Sequence, residues 1–295
     1  DNRSGTADIY GYNLKTKQEF QITTDTSAQF NSAIYGDIVV WEDNRDYNNT
    51  GNDIYGYNLK TKEERAICTE ERNQTNPAIY GDIVVWMDNR SSPNWDIYGY
   101  NLKTGQGFPI CTAESLQYYP AIYGDIVVWE DNRSGTADIY GYNLKTGEKL
   151  TICTYASAQR FSAIYGDIVV WQDYRSHDWD IYGYNLKTGQ EFPICTYTSV
   201  QWFPAIYGDI VVWQDDRSDT ADIYGYNLKT GQEFPICTYK SAKSFPAIYC
   251  DQVVWEDPRN GNADIYLAYL DVVCGESKSL PMQQFMKILG LGKEE

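Results

Sequence analysis

The chain has 295 residues, of which 42% are hydrophobic and 15% aromatic, and its formal net charge is −17. This composition excludes a disordered chain, which would lack the apolar side chains that a core needs. Apolar runs such as Ile38–Trp41 are far too short to span a membrane. The acidic balance disfavours nucleic acid as a partner, because binding to phosphates requires clustered Lys and Arg.

An internal repeat organises residues 1–271. Its period is near 42 residues, and a Val-Val-Trp string recurs with it. A period of this length is typical of propellers and solenoids. The string Asp-Ile-Tyr begins at Asp8, Asp53, Asp96, Asp138, Asp180, Asp222 and Asp264.

Each repeat predicts four short strands. The first is the Ala-Ile-Tyr segment, 33–35 in the first copy, and a Gly-Asp turn suited to a tight hairpin connects it to the second, Ile38–Trp41. The continuously apolar second strand is expected to be buried on both faces. The third strand is Ile54–Leu59, and the fourth is of the type at 191–196, where a Pro fits an edge strand.

Four antiparallel strands per repeat predict an all-β fold, a six-bladed β-propeller, with an open solenoid as the alternative. Five blades are complete in the sequence between residues 33 and 238. The sixth takes its first two strands from 247–255, and its fourth is expected to come from 20–23 at the N-terminus. The segments 8–14 and 264–270 then compete for one position. A seven-bladed ring is the alternative, and the surplus strand could mediate self-association.

The segment 127–144, Val-Val-Trp-Glu-Asp-Asn-Arg followed by Ala-Asp-Ile-Tyr-Gly-Tyr-Asn-Leu, resembles the TolB-type propeller repeat. The Trp and the Ile-Tyr-Gly-Asp hairpin are most similar to repeats of archaeal, Methanosarcina-type cell-surface proteins. The resemblance implies the fold. It implies little about activity, since propellers serve many functions.

The C-terminal tail, residues 272–295, falls outside the repeat. Its apolar spacing at 282, 285, 286 and 289 predicts a short amphipathic helix. Five of the seven cysteines occupy one repeat position and are expected to be buried free thiols, because equivalent positions on different blades lie too far apart for a disulfide. Cys250 and Cys274 are off the pattern, and a disulfide between them is an alternative to free thiols.

Acidic residues recur in every repeat, but the chain has one histidine, His177, and no metal-binding or nucleophile motif. An Asp two residues after the Trp is followed two positions later by an Arg. These two residues and the Asp of Asp-Ile-Tyr are read as a hydrogen-bonded brace of the loop. The other interpretation is a ring of catalytic or calcium-binding carboxylates. No cofactor is expected, with calcium as the one candidate.

The repeats differ mainly at one end, at the start of the first strand and in the loop between the second and third strands. This variation predicts a binding face at the mouth of the central channel, with drift in loops as the alternative. The candidate residues are Phe30, Thr75, Tyr118, Arg160, Trp202, Ser244, Trp95 and Trp179.

Together these features predict a non-enzymatic propeller, extracellular or on the cell surface, that binds a protein or glycan of the cell envelope. A purely structural envelope module is the first alternative. A metal-dependent enzyme of the lactonase or lyase type is the second, and the absence of repeated histidines disfavours it.

Overall fold

The computed structural model describes residues 5–271, and these form a six-bladed β-propeller built from antiparallel sheets. The blades are the six sheets that begin with a hairpin of the first and second strands, so the chain has six blades and not seven. By its contacts the chain divides between Val127 and Val128 into two units, which are described separately. The tail helix predicted near 282–289 lies outside the described residues. Within 5–271, no helix is long and apolar enough to cross a membrane.

The N-terminal hairpin consists of β1 (Tyr10–Asn13) and β2 (Gln18–Gln21). Blade 1 contains β3 (Gln29–Tyr35), β4 (Ile38–Asp43), β5 (Asp53–Asn58) and β6 (Glu63–Cys68). Blade 2 contains β7 (Gln74–Tyr80), β8 (Ile83–Asp88), β9 (Asp96–Asn101) and β10 (Gln106–Cys111). Blade 3 contains β11 (Gln117–Tyr123), β12 (Ile126–Asp131), β13 (Asp138–Asn143) and β14 (Lys149–Cys153).

Blade 4 contains β15 (Gln159–Tyr165), β16 (Ile168–Asp173), β17 (Asp180–Asn185) and β18 (Gln190–Cys195). Blade 5 contains β19 (Gln201–Tyr207), β20 (Ile210–Asp215), β21 (Asp222–Asn227) and β22 (Gln232–Cys237). Blade 6 contains β23 (Ser244–Tyr249), β24 (Gln252–Asp257) and β25 (Asp264–Tyr269).

Strand order in each blade follows the chain, and the predicted turn chemistry explains it. Gly208 joins β19 to β20 at a φ of 58°, where a side chain would be strained. At the same end of the blade, where Ile210 pairs with Asn227, the Oδ1 atom of Asn227 accepts hydrogen bonds from the N–H groups of Lys229 and Thr230 and closes the turn before β22. Blade 6 keeps the first turn although Cys250 replaces the glycine, at a φ of 57°.

The apolar core lies between adjacent blades. Val170 and Ile181 of blade 4 pack with Ile206 and Trp213 of blade 5. The second strand of each blade is almost wholly buried, as its uninterrupted apolar sequence predicts. Because every blade has the same two faces, each one can bury its apolar side chains only against a neighbour.

The chain ends differ from the predicted closure of the sixth blade. Residues 20–23 were expected to supply its fourth strand, but β2 pairs with β1 in a separate sheet of two strands. Within the described residues, the sheet of blade 6 therefore has three strands. Strands β1 and β2 stay paired with each other because Ile9 and Ile22 are buried against Val39 and Trp41 of blade 1. The hairpin thus covers the same face of blade 1 that a preceding blade would cover.

A bracket of four side chains, a buried Trp and Asp with a half-buried Arg and Tyr in blade 4, recurs in all six blades, and Trp171 illustrates it. Its indole N–H donates to Oδ2 of Asp173 at 2.9 Å, and the Arg175 guanidinium donates to both oxygens of that carboxylate. The guanidinium also lies 4.0 Å from the ring centre of Tyr182. The corresponding tryptophans are Trp41, Trp86, Trp129, Trp213 and Trp255. The predicted brace is thus confirmed for Asp and Arg, whereas the Asp of Asp-Ile-Tyr has other partners.

The repeated cysteines are free thiols, as predicted, and three of the five are buried. In blade 3, the thiol of Cys153 accepts a hydrogen bond from Nη2 of Arg175 in blade 4, at 3.5 Å. Burial raises the pKa of Cys153 and Cys195 to about 12. Cys111 and Cys237 are half-buried. Cys274 lies outside the described residues, so the disulfide with Cys250 stays a prediction.

Replacement of Asp173 by Ala should lower the free energy of unfolding by about 3–5 kcal/mol, since it leaves an indole N–H and a guanidinium half-buried without their acceptor. Urea denaturation followed by tryptophan fluorescence measures the loss. The control is Asp178→Ala, which removes an exposed carboxylate from the same loop and should change stability by less than about 0.5 kcal/mol. Equal losses in the two variants would show that the bracket does not stabilise the blade.

Candidate ligand-binding surface

The eight predicted residues lie at the same end of the blades. Six of them begin the first strands, and Trp95 and Trp179 immediately precede β9 and β17. Arg160 is exposed and Phe30 is 36% exposed, whereas the others are half-buried. The eight residues therefore share one end of the blades, as expected, and their role in binding stays a prediction. The sequence did not predict which side chains meet.

Blades 4, 5 and 6 contain a continuous cluster of six aromatic rings in unit 128–271. Trp179 contacts Trp202 with ring centres 5.7 Å apart, and Phe203 contacts Phe245 at 4.6 Å. Tyr174 and Phe245 are 42% and 44% exposed, which leaves part of the cluster open to solvent. The aromatic cluster consists of Phe161, Tyr174, Trp179, Trp202, Phe203 and Phe245.

A β-bulge in each first strand explains why neighbouring residues join one cluster. Side chains adjacent in a regular strand point to opposite faces. In β19 the register shifts between Trp202 and Ala205, and Phe203 adopts a φ of 52°. The bulge lets both Trp202 and Phe203 contribute to the cluster, with ring centres 6.3 Å apart. The same left-handed conformation occurs at Asn31, Asn76, Tyr119, Phe161 and Phe245.

An acceptor on the preceding blade holds the bulge in place at three of these positions. The N–H of Phe203 donates to Oε1 of Gln172 at 3.1 Å, and the N–H of Phe161 donates to Oε1 of Glu130 at 2.6 Å. In blades 1 and 2, Asn76 donates in the same way to Glu42. A left-handed non-glycine residue costs about 1–3 kcal/mol, and these hydrogen bonds between blades offset part of that cost.

The bulge residues were missed by sequence reasoning, which selected the position one residue earlier. Asn31 and Asn76 are polar, while Phe161, Phe203 and Phe245 are aromatic. That change along the repeat is the signal that could have identified them. A bulge is not visible in a single repeat pattern, because both Asn and aromatic residues occupy it here. Of the eight predicted residues, only Trp179 and Trp202 belong to the aromatic cluster.

Polar groups border the aromatic rings. The indole N–H of Trp202 lies 3.4 Å from Oδ2 of Asp216, whose other oxygen faces Nε2 of Gln214 at 3.4 Å. Exposed Arg160 is adjacent to Phe161 and close enough to Glu130 to favour its ionised form. Rings with donors and acceptors at their edges are suited to ligands that combine apolar faces with hydroxyl or amide groups.

The carboxylates that follow each Trp are held by neighbouring side chains. Asp173 and its five counterparts are engaged by Trp and Arg, and His177 lies exposed in the loop before β17. Among residues 5–271, the structure brings together no three His, Cys, Asp or Glu side chains as a candidate metal site. Calcium remains an untested candidate, since backbone and amide oxygens also bind it.

Known propellers share the fold with this chain at low sequence identity. A putative TolB from Agrobacterium tumefaciens is 15% identical, with a TM-score of 0.58 over 90% of this chain and 98% of that one. TolB from Acinetobacter baumannii is 14% identical, and the alignment covers 80% of this chain and only 61% of that protein. An oligogalacturonate lyase in complex with manganese is 14% identical, with a TM-score of 0.70 over 91% of this chain and 84% of the lyase. No protein-family model and no curated protein matches the sequence. The likeness to these structures establishes the TolB-like propeller fold alone.

Glu130→Gln should make the protein more stable at pH 8 and leave it nearly unchanged at pH 5. Burial raises the pKa of Glu130 from 4.5 to about 7. The folded state therefore favours the protonated carboxyl group. The stability that this group contributes is present below about pH 4.5 and is lost as the pH rises through about 7, where the buried group ionises. A Gln side chain accepts the equivalent hydrogen bond at position 172 and has no charge to bury. The difference in unfolding free energy should grow by about 1–3 kcal/mol between pH 5 and pH 8.

Gln172→Glu is the matched control for this prediction and should introduce the same pH dependence into blade 4. Urea denaturation of both variants and the parent at each pH provides the measurement. Parallel stability profiles for Glu130→Gln and the parent would contradict the prediction.

Proposed function

We propose that the protein is a non-enzymatic binding propeller that recognises a glycan of the cell envelope through the aromatic cluster. One observation carries this proposal: six rings meet at one end of blades 4–6, partly exposed, in an otherwise uniform repeat array. Exposed aromatic groups on a rigid scaffold are typical of recognition surfaces. A pyranose ring offers an apolar face for stacking and hydroxyl groups for Asp216 and Arg160.

The position of the rings on strands and short loops favours recognition by a preformed surface. Trp202 and Phe203 lie on β19, and Phe161 and Phe245 lie on the equivalent strands of the adjoining blades. Bulges tied by hydrogen bonds from the neighbouring blade limit their movement. A preorganised surface loses little conformational entropy when a ligand binds, which raises its affinity.

An extracellular or cell-surface location is part of the same proposal, as is a relationship to archaeal surface propellers. The sequence resemblance and the charge of −17, which keeps an exposed protein solvated, support both. A protein of the envelope is the alternative partner for this surface. The surplus terminal strand would also permit self-association, and the molar mass of a monomer at every concentration in light scattering would exclude it.

The test is a glycan array followed by calorimetric titration of the best binder, each with and without calcium. Trp179→Ala and Trp202→Ala should each raise the dissociation constant about 10- to 30-fold, since a buried aromatic contact contributes on the order of 2 kcal/mol to binding. Thermal unfolding confirms that both variants remain folded.

Trp95→Ala is the matched control, because Trp95 occupies in blade 2 the repeat position of Trp179 and is outside the aromatic cluster. Its affinity should equal that of the parent. A loss at Trp95 as large as at Trp179 would extend the site beyond the cluster. A blank array would leave the protein partner or the purely structural envelope module as the better hypothesis.

A further inference from the structure

One buried position breaks the repeat pattern in a chemically informative way. The position lies directly before the variable residue of the first strand, such as Trp202 in blade 5. It is Gln in five copies and Lys243 in the sixth, and all six residues are 0% exposed. Each of the six donates its backbone N–H to the carbonyl of the residue before an Asp-Ile-Tyr, as Gln201 does to Trp179 and Lys243 to Ala221. The six positions are therefore equivalent. The five glutamines are Gln29, Gln74, Gln117, Gln159 and Gln201.

In the sixth copy, an ammonium group fills a cage of oxygen atoms. Nζ of Lys243 lies 3.1 Å from Oδ1 of Asp222, 3.1 Å from the carbonyl of Ala221 and 2.8 Å from that of Ser241, and it also contacts the carbonyl of Tyr239. The other oxygen of Asp222 accepts a hydrogen bond from Ser218. One buried positive charge thus neutralises one buried carboxylate and satisfies the loop carbonyls.

The glutamine copies keep the carboxylate and the loop carbonyls but have no positive charge in that place. In blade 5, Nε2 of Gln201 donates to the carbonyl of Ser199 at 2.6 Å, as the ammonium does to Ser241. Within the described residues, Oε1 of all five glutamines has no hydrogen-bond partner. Three of the facing aspartates also have one such buried oxygen each: Asp53, Asp96 and Asp138.

The amide cannot satisfy both sides in either orientation. With Nε2 on the loop carbonyls, Oε1 is left as a buried acceptor without a donor, at the repeat position from which Lys243 reaches Asp222. A flipped amide would place Oε1 against the carbonyl that lies 2.5–2.6 Å from Nε2 in Gln117, Gln159 and Gln201, where two acceptors would repel. An unsatisfied buried acceptor costs about 1–3 kcal/mol, and here several occur together.

We propose that three of the glutamine copies, those whose neighbouring aspartate also has an unpartnered buried oxygen, each bind a monovalent cation of the size and charge of an ammonium group between the Gln Oε1 and the Asp carboxylate. The three sites are Gln74–Asp53, Gln117–Asp96 and Gln159–Asp138. In the sixth copy, the ammonium group of Lys243 occupies the equivalent position. A single carboxylate balances a single charge, whereas calcium requires six to eight oxygen ligands and would leave the site positive.

Potassium is the probe, and thermal unfolding provides the first readout. At equal ionic strength, the melting temperature in potassium chloride should exceed that in tetramethylammonium chloride by about 5–10 °C, because the larger cation cannot enter a buried site. A triple variant, Gln74→Lys with Gln117→Lys and Gln159→Lys, supplies three internal ammonium groups. It should melt at the same temperature in both salts.

Lys243→Gln is the reciprocal variant and keeps the test decisive where the triple variant fails to fold. It should melt below the parent in tetramethylammonium chloride and recover part of the loss in potassium chloride. Crystals soaked in thallium(I), a heavy substitute for potassium, should show anomalous peaks beside Gln74, Gln117 and Gln159 and none beside Lys243.

Three outcomes would overturn the proposal. Equal melting temperatures of the parent in both salts, with no anomalous peaks, would assign the sites to buried water or to protonated aspartates. A potassium effect of the same size in the folded triple variant would place the cation elsewhere. Stabilisation by calcium at a far lower concentration than potassium would exclude a monovalent site.

Discussion

The fold depends on the bracket of Trp, Asp, Arg and Tyr that recurs in all six blades. The tryptophan is the largest side chain between adjacent blades, and its N–H needs an acceptor where water is excluded. The Asp supplies that acceptor and needs a cation in turn. The Arg balances its charge, covers the Tyr ring and, in four blades, reaches the cysteine of the preceding blade. The electrostatic balance is visible in blade 6, where burial alone would raise the pKa of Asp257 but hydrogen bonds from Arg259, Ser241 and Trp255 lower it to about 2.

A scaffold repeated six times can only specialise where its copies differ. The bulge in the first strand is present in every blade, yet its occupant changes from Asn to Phe along the chain. The glutamine that begins each first strand is constant until Lys243, directly before β23, replaces it. Both differences occur at the same end of the blades, while the turns at the other end are nearly invariant. Recognition at that end would therefore leave the core of every blade intact.

Sequence and structure agree wherever a contact is local in the chain. The Gly-Asp turn, the buried second strand and the Asp-Arg pair are each formed within a few residues, so their chemistry can be read from one repeat. The bulge could not be read in this way, because it depends on an acceptor such as Gln172 on the neighbouring blade. The same reason explains the error at the N-terminus. Residues 20–23 match a fourth strand equally well in either sheet, and only the packing of Ile9 and Ile22 decides between them.

The sequence by itself determined the four-stranded repeat, the order of strands, the identity of the core and the end of the blades at which variation accumulates. It did so because period, turn residues and apolar alternation are one-dimensional signals that six copies repeat. Only the tertiary structure decided which aromatic rings form a surface and which buried oxygens lie together. Those arrangements join residues of adjacent blades, some 20 to 40 positions apart, and depend on side-chain distances that no spacing in the sequence encodes.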